Sequence, residues 1–314
     1  MAAFSDPDFD FRRYLEERPR APDTLYDDVL SFHQGERGTV LDAGCGPGIS
    51  LFPLVPHFKR AIGVDPSEGM ISEAGGAWEA YCGSALQGKR PDTLVEFKQG
   101  SAEKLTCIDD ASVDLVTAAQ AAHWFDYAAL WPELSRVLKP GGSVAFWGYG
   151  TNFLPSHTAL WPQMAEFMSS RAPVLGPYWP LPGRRLLEDL LAEIPFPKDE
   201  AAWDVAGAKR KMHTLAAPGV PELASPAEPY RMERVMTFEQ LNGYFHTSSA
   251  LSRFYKAHPE RRSEKPDMID VHVERLREAV LAERKSGTGA EEGLDEQHVR
   301  VAWPLGLMMI RKRA

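Results

Sequence analysis

The run Val40-Leu41-Asp42-Ala43-Gly44-Cys45-Gly46-Pro47-Gly48 constrains this 314-residue chain more than any other. A short apolar stretch closing on a carboxylate reads as a buried strand. Glycines directly after it let the backbone turn and approach a ligand with no Cβ in the way. Many folds use such turns, and the spacing narrows the choice. Dinucleotide-binding turns need G-x-G-x-x-G to admit a pyrophosphate at a helix N-terminus, whereas here the third glycine comes one residue early. Asp42 at the strand end would repel a pyrophosphate but can receive an ammonium group, directly or through water. No phosphate-cradling G-x-x-x-x-G-K-[ST] occurs in the chain. The implied ligand has a cationic amino-acid end and no phosphate.

The following segments fit one sheet. Thr39-Val40-Leu41, Ala61-Ile62-Gly63-Val64, Val95-Glu96-Phe97, Val113 to Thr117 and Ser143 to Trp147 are short apolar or β-branched runs. Helical patterns lie between them: Asp23 to His33 with Asp23 placed to cap it, Ser67 to Tyr81, and Asp126 to Leu138 stopped by Lys139-Pro140-Gly141-Gly142. After Gly48, Pro53 and Pro56 lie beyond the first turn where proline is tolerated, so a short or kinked helix is expected. Strands alternating with helices imply parallel pairing by right-handed crossovers, a doubly wound α/β sheet. Asp65 then ends the second strand, where a carboxylate can accept both hydroxyls of a ribose. Gly100-Ser101-Ala102-Glu103 follows the third strand, placed to meet an adenine edge, and Gln120 follows the fourth. All are at carboxyl ends of strands, where open α/β sheets bind ligands.

From Gly150 to about Glu296 the alternation stops, and proline-rich connections separate amphipathic helices at 184–194, 238–257 and 268–284. Thr237 with Gln240 is a capping-box signature. The runs His298 to Trp303 and Leu307 to Ile310 read as two strands joined at Pro304-Leu305-Gly306. The expected organisation is an N-terminal lid segment (1–22), a ligand-binding core (23–149), a mainly helical cap insertion (150–296), and a final hairpin returning to the core sheet (297–314).

Composition removes several functions. A net charge of −9 argues against a nucleic-acid partner, and the clusters Lys209-Arg210-Lys211 and Arg311-Lys312-Arg313 are short enough to be solvated surface. Met1 to Asp10 has no apolar run and no leader character, and no stretch approaches the roughly 18 apolar residues of a membrane span. Cys45, Cys82 and Cys107 show neither metal-ligand spacing nor a disulfide framework, so no metal is expected and the chain reads as cytoplasmic and reduced. The expected partner is a small molecule, and the sequence leaves the oligomeric state open.

The turn and the strand-end residues resemble the class I S-adenosylmethionine-dependent methyltransferases, whose D-x-G-x-G-x-G motif holds the methionine part of the cofactor. The resemblance implies a Rossmann-like, mostly parallel seven-stranded sheet, with S-adenosyl-L-methionine as cofactor and S-adenosyl-L-homocysteine as product. It assigns Asp42, Gly44, Cys45, Gly46, Asp65, Pro66, Met70, Ser101, Ala102 and Gln120 to the cofactor. Arg13-Tyr14, Arg18-Pro19, Ala122-His123-Trp124-Phe125-Asp126, Trp147-Gly148-Tyr149, Gly176-Pro177-Tyr178-Trp179 and Pro182-Gly183-Arg184 look like the fungal trans-aconitate methyltransferase group, which esterifies a carboxylate. That likeness makes Tyr14 and Arg18 lid residues over the cofactor and sets the His-Trp motif against the transferred methyl group. Two departures stand out. Relatives often read Arg-Pro-x-Tyr-Pro where this chain has Arg18-Pro19-Arg20-Ala21-Pro22, and Thr-Trp-Ser where it has Thr247-Ser248-Ser249.

The chemistry follows from the residues. A carboxylate nucleophile is already ionised at neutral pH and needs alignment and exclusion of water more than a base. An arginine can hold a second carboxylate through paired hydrogen bonds, with Arg184 the first candidate and Arg231, Arg234 and Arg253 behind it. Trp124, Tyr149, Tyr178 and Trp179 can wall the site and favour a cation through their ring faces. His123 is the candidate acid–base residue; for a phenol, alcohol or amine it would take the proton, and for a carboxylate it would orient the substrate. The expected function is carboxyl O-methylation of a small anionic metabolite. The alternatives are an O- or N-methyltransferase of fungal secondary metabolism with His123 as base, and a cofactor-binding regulator without catalysis.

Overall fold

The computed structural model describes residues 17–213, 232–289, 291 and 293–314. Helix α1 (Asp23–Phe32) buries Leu25, Tyr26, Val29 and Leu30. Its N-cap is Pro22, so Asp23 lies inside the first turn and makes no cap. There its charge complements the helix dipole. Strand β1 (Thr39–Ala43) enters the glycine turn, after which Pro53 and Pro56 restrict the chain to a 3₁₀ segment, Phe52–His57. Neither proline can donate a backbone hydrogen bond, and the tight 3₁₀ turns tolerate this over six residues. Strand β2 (Arg60–Asp65) leads into α2 (Glu68–Ser84), where Ser67 accepts from the Met70 amide as N-cap. Strands β3 (Leu94–Gln99) and β4 (Val113–Ala119), helix α3 (Tyr127–Val137) and strand β5 (Leu138–Tyr149) complete the alternation.

The Lys139-Pro140-Gly141-Gly142 run is no separate turn. Val113 pairs with Leu138 and Leu115 with Ser143, so the run forms a bulge at the start of β5, with Gly141 at φ +77°. Such a bulge takes up extra residues without moving the rest of the strand out of register.

The elements from 150 onward are α4 (Trp161–Met168), α5 (Gly183–Glu188), β6 (Lys209–His213), β7 (Glu233–Thr237), α6 (Phe238–His246), α7 (Ser249–Ala257), α8 (Met268–Ser286), β8 (His298–Ala302) and β9 (Leu305–Arg311). The capping box of Thr237 and Gln240 forms as read, but the long helix expected over 238–257 breaks at Thr247, where Ser248 caps a second helix. Strand order in the central sheet is β3-β2-β1-β4-β5-β9-β6, parallel through β5. The chain reverses direction of build between β1 and β4, which opens a crevice at their carboxyl ends.

The C-terminal hairpin does not form. Leu305 and Gly306, read as its turn, are strand residues paired with Tyr149 and Gly148, and β9 lies antiparallel between β5 and β6. Strand β8 pairs instead with β7 in a separate two-stranded ribbon. The central sheet thus takes one of its seven strands, β6, from within the segment read as a helical cap. The physical reason is burial: six of the seven residues of β9 are buried, which suits a strand flanked on both edges. The basic clusters are also less solvated than expected. Arg210 binds the carbonyls of Leu191 and Ile194, and Lys312 those of Ser135 and Leu138. Among the described residues no helix is long and apolar enough to cross a membrane.

Candidate active site

A cavity opens at the carboxyl ends of β1, β2 and β4, under a roof from α5, α6 and the start of α7. Its floor is the glycine turn. Gly44 has φ +70°, and a Cβ there would sit 2.5 Å from the Cβ of Ala121. Only glycine lets β1 and the 119–125 segment approach this closely. Asp65 shapes the turn from the next strand: Oδ2 accepts from the Gly46 amide at 2.9 Å and Oδ1 from the Ser67 amide at 2.8 Å. Burial raises the Asp65 pKa and these two amides pull it back. Each oxygen keeps a further lone pair for ligand hydroxyls.

Asp42 stands behind the turn and does not line the cavity directly. It is 1% exposed; Oδ1 accepts from Thr117 Oγ1 at 2.8 Å, and Oδ2 has no partner among the described residues. Burial, opposed by the Thr117 bond and reinforced by Asp65, pushes its pKa up to about 7. A buried carboxylate oxygen without a partner is rare and calls for a bound donor. A cationic ammonium end, reached through water, meets that need, and the residues around the turn therefore fit the ligand inferred from the sequence.

Gly44, Cys45, Gly46, Asp65, Pro66, Met70, Ser101, Ala102 and Gln120 all line this cavity, as does Arg18. Burial raises the Cys45 thiol pKa well above its ordinary value, so the thiol stays protonated. Gln120 has a use the sequence did not suggest. Held at φ +52°, it accepts from the Tyr149 amide at 2.7 Å and donates to the Tyr149 carbonyl at 3.4 Å, clamping the ends of β4 and β5 together. Tyr14 and Arg231 lie outside the described residues.

His123, Trp124, Tyr149, Trp179 and Arg184 line the same cavity. His123 sits in a 3₁₀ turn, Ala122–Trp124, with its ring 4.7 Å from that of Trp124. Burial first, then the charges of Arg184 and Arg18, push its pKa down to about 3, so the ring is neutral at pH 7. Arg184 is 7% exposed and heavily engaged: Nε meets Glu188 at 3.1 Å, Nη2 donates to Thr151 Oγ1 at 2.7 Å and to the Met168 carbonyl, and the guanidinium lies 4.2 Å from the centre of a Trp179 ring. Arg18 donates to Tyr149 Oη and to the Thr247 carbonyl, each at 3.0 Å.

Tyr178 is a correction. Its hydroxyl bonds His258 Nε2 at 2.7 Å and its ring packs on Phe254, so it braces α7 and does not line the cavity. Neither Arg234 nor Arg253 reaches the cavity wall. Glu103, from the run read as meeting an adenine edge, lines it too, as do Ser248 and Ser249; Tyr244 lines it without having been singled out. Tyr244 lies on the buried face of α6, and only its tertiary neighbours distinguish it from core. Ala21 and Ser248, the positions where the resemblance leads one to expect aromatics, both line the cavity.

The comparisons agree with this geometry. Residues 41–146 match a family model described as a methyltransferase domain. The chain is 33% identical over 196 residues to a trans-aconitate 2-methyltransferase of Azoarcus sp., covering 59% of this chain and 68% of that protein. It is 25% identical over 292 residues to a protein of Saccharomyces cerevisiae described as a probable S-adenosylmethionine-dependent methyltransferase, CRG1, covering 90% of this chain and 91% of that one. A solved chain from Anaeromyxobacter dehalogenans, called a "putative type II methyltransferase", superposes with a TM-score of 0.62 at 27% identity, covering 94% of this chain and 97% of that one.

Proposed function

The chain belongs to the class I S-adenosylmethionine-dependent methyltransferases, and from that premise we propose that it methylates a carboxylate of a small anionic metabolite. When bound, the cofactor supplies an activated methyl group on a sulfonium sulfur.

The observation that carries this reading is the electrostatic division of the cavity. Of its carboxylates, Asp65 ends β2 and Glu103 follows β3, whereas Arg18 lies beside Tyr149 and Tyr244 and Arg184 beside Trp179, both near enough to lower the His123 pKa. An anion is drawn to the arginines and a cation to the carboxylates. His123, held near a pKa of about 3, is a poor acceptor of a proton at neutral pH. A phenol, alcohol or amine that must be deprotonated is badly served here, while a carboxylate needs no base. His123 and Trp124 then position the acceptor and exclude water. Arg184, fixed by Glu188, Thr151 and Trp179, is a preorganised donor group whose charge Glu188 partly offsets.

Asp42 and Asp65, with the backbone of the glycine turn, would hold the cofactor; Ser101 and Ala102 would meet its adenine. The match to the Azoarcus trans-aconitate 2-methyltransferase supports an acid as substrate, and Ala21 and Ser248 favour one larger than the aromatic-walled relatives accept. The test is His123→Ala assayed on paired acceptors. A modest loss, under roughly tenfold, is expected on a carboxylic acid. Methyl transfer by the wild type to a phenol but to no acid, with a loss of a hundredfold or more in His123→Ala, would contradict the proposal and restore His123 as a base.

A further inference from the structure

Hydrogen-bond accounting around Arg18 leaves two donors over. Tyr149 ends β5 and Tyr244 lies in α6; both rings are buried and both line the cavity. Each hydroxyl accepts from a group that can only donate: Tyr149 from Arg18 Nη1 at 3.0 Å, and Tyr244 from the indole N–H of Trp303 at 3.0 Å. A phenol so engaged must aim its own hydrogen elsewhere, and among the described residues neither hydroxyl bonds an acceptor.

The two groups are neighbours held in place. The Trp303 ring meets Tyr244 edge-on at 5.6 Å and Tyr149 at 6.5 Å. The Arg18 guanidinium lies 5.6 Å from the Tyr244 ring centre. The backbone of Tyr149 is clamped by Gln120. Burial, with Tyr149 nearby, pushes the Tyr244 pKa up to about 12 against the pull of Arg18, so this phenol keeps its hydrogen across the physiological range.

We propose that Tyr149 and Tyr244, with Arg18, form a subsite for a substrate carboxylate, each phenol donating its O–H to a carboxylate oxygen. Two fixed donors beside a cation select a group that only accepts and carries negative charge. An amine offers such donors little, and an alcohol oxygen can accept from both but brings no charge to meet Arg18. The carboxylate held here is the one left unmethylated, because hydrogen bonds and a guanidinium at its oxygens draw off the electron density that a nucleophile needs. The subsite rests on the carboxylate reading above and adds Tyr244 as a specificity-determining residue.

The test uses Tyr149→Phe and Tyr244→Phe, which remove the O–H and keep the ring. Enzyme loaded with S-adenosylhomocysteine is titrated by calorimetry with trans-aconitate, citrate and succinate, and with the neutral trimethyl ester of trans-aconitate. Each variant should bind S-adenosylhomocysteine within about twofold of wild type, as a fold control. Each should bind the acids roughly ten- to a hundredfold more weakly, the usual effect of losing a hydrogen bond to a charged group. Selectivity for trans-aconitate over its ester should fall with it. Variants that bind the acids as well as wild type does would overturn the subsite while leaving the carboxylate reading intact. A wild type that binds none of the three acids would overturn both, and the wild-type titration alone reports that outcome.

Discussion

Replacing Asp42 by asparagine separates two roles that one carboxylate plays. In the ligand-free protein Asp42 is buried, bonded once by Thr117, and held near a pKa of about 7. Relative to an ordinary aspartate, that gap corresponds to roughly 4 kcal/mol of cost once the group is ionised in the folded state. The sign follows from proton binding. Between about pH 4 and 7 the unfolded chain has released this proton and the folded chain has not, so stability falls as pH rises; above about 7 the whole cost is present. The substituted amide does not titrate. It instead leaves a buried N–H without a partner, at about 1–3 kcal/mol independent of pH. In urea unfolding of ligand-free protein, Asp42→Asn should therefore gain about 2–3 kcal/mol on wild type between pH 5 and pH 8.5. The same variant should bind S-adenosylmethionine roughly ten- to a hundredfold more weakly, having lost its charge toward the ammonium end. A stability difference constant with pH would refute the assignment of that cost to Asp42.

Four further outcomes are expected. Gly44→Ala combines a left-handed backbone with a Cβ 2.5 Å from Ala121, so it should abolish cofactor binding in a calorimetric titration. In the ligand-free protein Gly46→Ala, whose nearest neighbour would be Met70 Sδ at 3.8 Å, should lower unfolding free energy only by the backbone penalty of about 1–2 kcal/mol. Arg184→Met strands the buried Glu188 without its ion pair and should lower unfolding free energy by about 3–5 kcal/mol, read by denaturant titration; Arg184→Met unfolding like wild type would show Glu188 sustained by Ser170 alone. At His157 burial disfavours the imidazolium, but Glu291 and Glu283 outweigh it and raise the pKa. The stabilisation is present below the unfolded value of about 6.5 and lost as pH rises through the folded one, so His157→Gln should flatten the stability profile there.

The half of the cavity proposed for the cofactor was legible in the sequence because its signals are local. Asp42, Gly44 and Gly46 are dictated by one strand and one turn, and Asp65 by the end of the next strand, so spacing alone places them together. The half proposed for the substrate was less legible because its walls come from distant segments. Tyr244 has the pattern of a core aromatic in an amphipathic helix, and only contact with Trp303 and Arg18 gives it a role. Tyr178 carries the same kind of signal and proves to brace α7. Strand β6 is hidden in the sequence because Lys209-Arg210-Lys211 reads as surface charge. At a sheet edge those long side chains reach neighbouring carbonyls and Asp28 while the backbone pairs with β9. The hairpin failed for a related reason: two adjacent apolar runs do not reveal whether they pair with each other or with separate partners.

Carboxyl methylation itself is tested most directly by the chemical lability of the product. Wild-type protein is incubated with methyl-labelled S-adenosylmethionine and a panel of di- and tricarboxylic acids, and the recovered product is treated with mild alkali. Label released as methanol is the expected result, since an ester hydrolyses under conditions that leave methyl ethers and methylamines intact. Transfer of label only to alkali-stable positions, or to no acid in the panel, would contradict it.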